Sequence, residues 1–180
     1  STLFPYTTLF RSIVWLWMAL RTYKSFDVKN SVEQKDKSAV SFVDFCGAVV
    51  EYSNDGVLYT DSDGNRIWNQ AFEMSSPQVV TCESFMTIYD RGGTDLYIMD
   101  KNGVKKEIGT SWPIIKACIA SQGTVAVLVS ENENYYVKLY DVNGKELASG
   151  EFFGEQKNIP VDIALSYDAK KLAVDMIDVS

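Results

Sequence analysis

Histidine is absent from the 180 residues. That absence removes Ser-His-Asp and Cys-His nucleophile systems, histidine-ligated zinc and imidazole acid–base chemistry from this stretch. Positive charge is scarce as well. The 17 Lys and Arg stand against 24 Asp and Glu, a formal net charge of −7. Nucleic acid demands a basic face for its phosphates, so that class of partner is disfavoured. Cysteine appears three times, at Cys46, Cys82 and Cys118, 36 residues apart both times and never as a CxxC pair. An odd count without close pairs argues against a metal cluster or a disulfide framework. The spacing predicts one small buried free thiol per repeated unit, at matching points of innermost strands.

Long hydrophobic runs are also lacking. The longest notable one, Ile13-Val14-Trp15-Leu16-Trp17-Met18-Ala19-Leu20, stops at Arg21. Eight residues do not cross a bilayer, which takes about 20. Two Trp followed by Arg21, Tyr23 and Lys24 suit the interfacial end of a membrane helix, whereas the plain alternative is the start of a buried element. Just upstream, Thr2 to Ser12 reads as the in-frame translation of a common DNA-sequencing adapter. Residues 1–12 are therefore set aside as non-native, and 13–24 are expected to be the remnant of an N-terminal transmembrane helix. Residues 25–38, polar and without period, read as a linker.

What is present in quantity is strand and turn. Asp61-Ser62-Asp63-Gly64, Asp100-Lys101-Asn102-Gly103 and Asp141-Val142-Asn143-Gly144 repeat one pattern, with glycines at 64, 103 and 144. Asn-Gly or Asp-Gly between alternating apolar runs signals a hairpin, and a type I′ turn is expected at each. Around each hairpin lie four short strand segments, with Pro77, Pro113 and Pro160 at the unit boundaries, where no ladder donor is needed. Four antiparallel strands per unit of about forty residues is the pattern of β-propeller blades. The predicted fold is all-β: a partial propeller over 39–180, truncated to about three and a half blades at about 39–76, 77–112, 113–159 and 160–180. A fourth blade that stops after two strands leaves an apolar edge, so the isolated segment is expected to associate or unfold in part.

Several motifs invite chemistry and do not support it. Asp61-x-x-Gly64-x-x-x-Trp68 resembles the docking repeat of quinoprotein-type propellers, in which the Trp packs on the neighbouring blade. Glu107 and Ala148 replace the Trp in the next two units, so the motif points to packing and to no quinone. Ser166-Tyr167-Asp168-Ala169-Lys170-Lys171-Leu172-Ala173 resembles the Ser-Pro-Asp-Gly turn of WD40-like and TolB-like blades, with Tyr167 for Pro and Ala169 for Gly. The Asp-x-Asn/Asp-Gly segments lack the remaining ligands of a calcium loop and read as turn formers. Asp175 and Asp178 have no second partner in the pattern. No catalytic, cofactor-binding or metal-binding residue is assigned, and no cofactor is expected.

Taken in order, Ser31-Val32-Glu33, Asp55-Gly56, Ile67-Trp68-Asn69, Glu73-Met74 with Pro77, Cys82, Gln122-Gly123, Leu139-Tyr140-Asp141 and Pro160 to Ser166 resemble the domain of unknown function family 5711 of clostridia-type bacteria, from about Arg21 onward. The resemblance implies a short cytoplasmic N-terminus, one membrane helix, a WD40-like propeller outside the membrane, and further sequence at the C-terminus. It carries no activity and no site residues. The function expected from the whole is a single-pass, membrane-anchored extracytoplasmic propeller, non-enzymatic, that binds a protein or a cell-envelope component. The alternative is a small-ligand sensor or enzyme whose site lies in the channel and is completed by missing blades.

Overall fold

The computed structural model describes Trp15, residues 40–153 and residues 158–178. The membrane-helix expectation falls on residues 13–24, which lie outside the described residues except for Trp15, a helical and exposed position. Among the described residues no helix is long and apolar enough to cross a membrane.

Among the described residues fourteen strands form four antiparallel sheets, each in sequence order. Sheet 1 holds β1 (Ser41–Phe45), β2 (Ala48–Ser53), β3 (Gly56–Thr60) and β4 (Arg66–Ala71). Sheet 2 holds β5 (Pro77–Cys82), β6 (Phe85–Asp90), β7 (Asp95–Asp100) and β8 (Gly103–Gly109). Sheet 3 holds β9 (Ile114–Ile119), β10 (Val125–Glu131), β11 (Asn134–Tyr140) and β12 (Glu146–Phe153), and sheet 4 holds β13 (Asn158–Leu165) and β14 (Leu172–Asp178). Alternation along each strand sends side chains to opposite faces, so each internal sheet buries both.

The core therefore lies between sheets. Val50, Val57 and Tyr59 of sheet 1, with Phe72 and Met74 of the connector, meet Met86, Ile88, Tyr97 and Met99 of sheet 2. The other face of sheet 2, with Tyr89, Leu96 and Ile98, meets Ile114, Ile119, Val125, Val127, Val129 and Tyr140 of sheet 3. Cys118, Ala126, Leu128 and Val137 then face Ile163, with Leu165, Leu172 and Val174 packed alongside. Burial of this kind is worth ~1.5–3 kcal/mol per large aliphatic side chain, and the interfaces are the main stabilising element of the stack.

The turns depart from expectation. At Asp61 and Asp141 only the glycine has positive φ, at +83° for Gly64 and +78° for Gly144. The Asp carboxylate accepts the backbone N–H groups two and four residues ahead: Asp63 and Asn65 donate to Asp61 Oδ1, and Asn143 and Lys145 to Asp141 Oδ1. Type I′ would need positive φ at two successive residues. The carboxylate offers an Asx turn instead, and the ladder absorbs the extra residue as a register shift at Tyr59/Thr60 and Leu139/Tyr140. Positive φ at both central residues occurs at Cys46-Gly47, with φ of 52° and 74°.

Cys46 therefore lies in a turn and is exposed, Cys82 ends β5 half-buried, and Cys118 is buried inside β9. The equal spacing is not structural equivalence. Phe45 pairs with Ala48 as Cys82 pairs with Phe85, so Cys82 corresponds to Phe45, and Cys46 to Glu83.

Candidate functional site

Three of the buried polar side chains, Asp90, Thr87 and Thr110, are engaged in holding backbone in place. The Ser76 N–H donates to Asp90 Oδ1 at 2.7 Å, which fixes the connector between sheets 1 and 2. Thr87 donates to the Tyr97 carbonyl, and Thr110 to the carbonyls of Thr94 and Trp112. Among the described residues no group of three or more Cys, Asp or Glu is placed to hold a metal ion. Burial raises the pKa of Cys118 to about 11, and desolvation also pushes Cys46 and Cys82 upward. An activated thiol needs the opposite shift, so none of the three has the electrostatics of a nucleophile.

Two surfaces carry built features. The first is the row of turns between the first and second strands of each sheet. Cys46 Sγ donates to the Glu83 carbonyl at 3.1 Å. The Tyr167 hydroxyl is hydrogen-bonded to the Glu83 carboxylate, which raises the phenol pKa. Ser121 donates through both N and Oγ to the Tyr167 carbonyl, and Gln122 Nε2 donates to that of Asp168. Turns of all four sheets are thus tied into one continuous line. The Ser166–Asp168 pair of this row, with Oγ to Oδ1 at 2.8 Å, shapes a turn in which Ala169 takes a φ of 56°.

The second surface is the outward face of sheet 1. Phe42 is 61% and Val49 42% exposed there. Two shallow concavities flank them: one of about 490 Å³ lined by Phe42, Asp44, Gly47, Val49 and Ser62, and one of about 290 Å³ lined by Glu51, Tyr52, Leu58, Arg66 and Asn69 among others. A third feature, Trp112 stacked on Tyr136 at 4.5 Å with Lys138 Nζ 5.6 Å from the indole, staples the connector of sheets 2 and 3 to β11.

Sequence reasoning assigned no site residues, and the outward face of sheet 1 escaped it. Glu51 stands there where sheet 2 has Ile88 and sheet 3 has Val127, a contrast visible only once the strand pairings align the sheets. Asp61, Asp100 and Asp141 remain turn formers. Asp175, on β14, pairs across the ladder with Asp162, and among the described residues no third ligand joins them to hold a metal ion.

No curated protein sequence matches the chain. Solved structures do. Hsv2 from Kluyveromyces marxianus superposes with a TM-score of 0.60 at 16% identity, over 82% of this chain and 47% of that one. Hsv2 from Kluyveromyces lactis with loop 6CD replaced by a Gly-Ser linker gives a TM-score of 0.59 at 16% identity, over 79% and 49%. This likeness shows a WD40-like propeller fold and nothing of activity. The chain spans about half the length of these structures. Residues 19–180 match the model of a family of unknown function, DUF5711.

Proposed function

For a chain that belongs to DUF5711, a family of unknown function, we propose the role of a non-enzymatic binding scaffold. The propeller-like stack is held outside the membrane by the apolar segment at residues 13–24, where it engages a protein or a component of the cell envelope. The observation that carries this reading is the division of labour among side chains. Asp90 fixes the connector between blades 1 and 2, and Thr87 and Thr110 brace the backbone of blade 2, while Phe42, Val49, Ile67 and Leu147 stand exposed on blade surfaces. Rigid blades with apolar residues on show suit recognition better than group transfer.

Fractionation of a bacterium expressing the full chain tests the attachment. The chain should sediment with membranes, and removal of residues 13–24 should release it. Protease added to intact spheroplasts should cut the blades. A chain that stays soluble with residues 13–24 in place, or blades protected from external protease, would overturn the anchored reading.

A further inference from the structure

Two asparagines are followed by glycine, Asn102-Gly103 and Asn143-Gly144, and both pairs stand in the turn that joins the last two strands of a sheet. Such a pair carries a reaction of its own. The glycine nitrogen attacks the asparagine Cγ and closes a five-membered imide. Ammonia leaves with the proton that the nitrogen gives up. Water then opens the ring: cleavage at Cγ yields aspartate, and cleavage at the other carbonyl yields isoaspartate, whose main chain runs through Cβ and is one atom longer. Asparagine counts among the thermolabile residues, and glycine favours closure because no Cβ stands in the way.

The two turns are held differently. In blade 3 the Gly144 N–H donates to the Asp141 carbonyl at 2.9 Å. Asp141 Oδ1 takes the N–H groups of Asn143 and Lys145, on either side of the glycine. The stem of Lys106 lies over Gly144, with Cγ 2.7 Å from where a Cβ would stand. The peptide plane that must swing for ring closure is thus braced and covered. In blade 2 the Asn102 N–H donates to Asp100 Oδ1 at 2.7 Å, while Asp100 Oδ2 is drawn to Lys105 Nζ at 2.9 Å. Asn102 is exposed, and no atom beyond the chain neighbours lies within 4 Å of where a Cβ would stand on Gly103. The Asn102 amide donates to Asp100 Oδ2 at 3.3 Å, and Asp100 is the residue opposite Gly103 in the ladder. That bond folds the amide back over the turn. Closure has room at Gly103 and lacks it at Gly144.

We propose that Asn102 is a site of spontaneous imide formation and isoaspartate conversion, and that this modification releases a lock between blades 1 and 2. The link is Lys101. Its carbonyl accepts the Trp68 indole N–H at 3.0 Å and belongs to the peptide bond that enters Asn102. Lys101 and Asn102 are the two residues of the loop between the paired Asp100 and Gly103. One extra main-chain atom in so short a loop displaces the Lys101 carbonyl, and the new carboxylate adds a second negative charge beside Asp100. Blade 1 is thereby loosened from blade 2 by a slow, irreversible chemical clock, whatever the blades bind.

The full chain in detergent is held at pH 8, sampled over days and mapped by mass spectrometry with fragmentation that separates isoaspartate from aspartate. Isoaspartate is expected at residue 102, forming several-fold faster than at residue 143. Asn102→Gln, whose longer side chain does not close a five-membered ring, should stay unmodified at that position. Melting temperature should fall as the modified fraction rises. The fall should be smaller in Trp68→Phe, which has no indole donor left to lose, and smaller still in Asn102→Gln. Circular dichroism of fresh samples establishes that each variant is folded before ageing. An intact Asn102, conversion of Asn143 at an equal or greater rate, or an equal fall in the unsubstituted chain and Trp68→Phe would each overturn the proposal.

Discussion

The indole nitrogen of Trp68 donates a 3.0 Å hydrogen bond to the carbonyl of Lys101. The donor sits on the last strand of blade 1 and the acceptor in the last hairpin of blade 2, so one side chain joins adjacent blades. Its ring also packs on Tyr59, with centroids 5.2 Å apart. Trp68→Phe keeps most of the ring and loses the donor, and should cost ~1 kcal/mol. Trp68→Ala should cost ~3 kcal/mol, the low end for a large aromatic because the residue is half-buried. Chemical denaturation of the two variants checks both values, and a neutral Ala variant would contradict the docking role.

The three thiols should react in order of exposure. Iodoacetamide at pH 8 should label Cys46 first, Cys82 more slowly and Cys118 only on unfolding. Cys118 has its thiol pKa raised from 9.0 to about 11, mainly by burial. A raised folded value means that the fold prefers the neutral thiol. This contribution is complete below pH 9 and lost as pH rises through about 11. Cys118→Ala should flatten the fall of thermal stability across that window, measured by calorimetry.

Asp100 titrates the other way. Desolvation pushes its pKa up, but Lys105 Nζ at 2.9 Å and the Asn102 N–H outweigh it and hold the value below the ordinary 3.8. A lowered folded value contributes stability above pH 3.8 that disappears as pH falls through the folded value. Asp100→Asn should therefore reduce stability at pH 7 and make acid unfolding less steep. NMR titration of the carboxyl carbon would read the shift directly.

Ala169 occupies the left-handed region, where a Cβ costs roughly 1–2 kcal/mol. Ala169→Gly relieves that strain but frees the unfolded chain, at ~0.4–1 kcal/mol. A net stabilisation of about 0.5 kcal/mol is expected in denaturant melts. Loss of stability would mean that the Ser166–Asp168 turn is unstrained.

Gly123 gives the opposite case. With φ of +82°, an added Cβ would lie 2.9 Å from Val142 and 3.1 Å from the Phe85 ring. Backbone conformation and space are both unfavourable, and the contact falls between blades 2 and 3. Gly123→Ala should cost ~1–3 kcal/mol by thermal melting.

Much of this architecture is legible in the sequence because strand alternation and turn chemistry are local. Val57 to Thr60, Phe85 to Tyr89 and Leu172 onward announce themselves by period and by the glycines between them. The turn type was not legible. Whether the Asp61 carboxylate accepts backbone N–H groups or leaves Asp63-Gly64 to form a type I′ turn depends on a register shift across the ladder, and one-dimensional spacing does not record it. The cysteines mislead for a related reason: hairpins of unequal length place Cys46 in a turn and Cys118 mid-strand despite equal spacing. Glu51 stands apart from its counterparts only after alignment of the blades in space, since Ile88 and Val127 lie 37 and 76 residues further along in unrelated local sequence.

Each strand in every sheet pairs only with its neighbours in sequence, and this has a consequence for how the protein is made. Such hairpin contacts close early, so a blade can assemble as soon as its own forty or so residues have left the ribosome. Its forward apolar face, however, has no cover until the next blade follows, roughly 2–8 s later at synthesis rates of ~5–20 residues per second. During that interval Val50, Val57 and Tyr59 of blade 1 are open to solvent. The growing chain thus presents one adhesive surface at a time, always at its newest end, and a ribosomal pause between blades prolongs that exposure more than a pause within one.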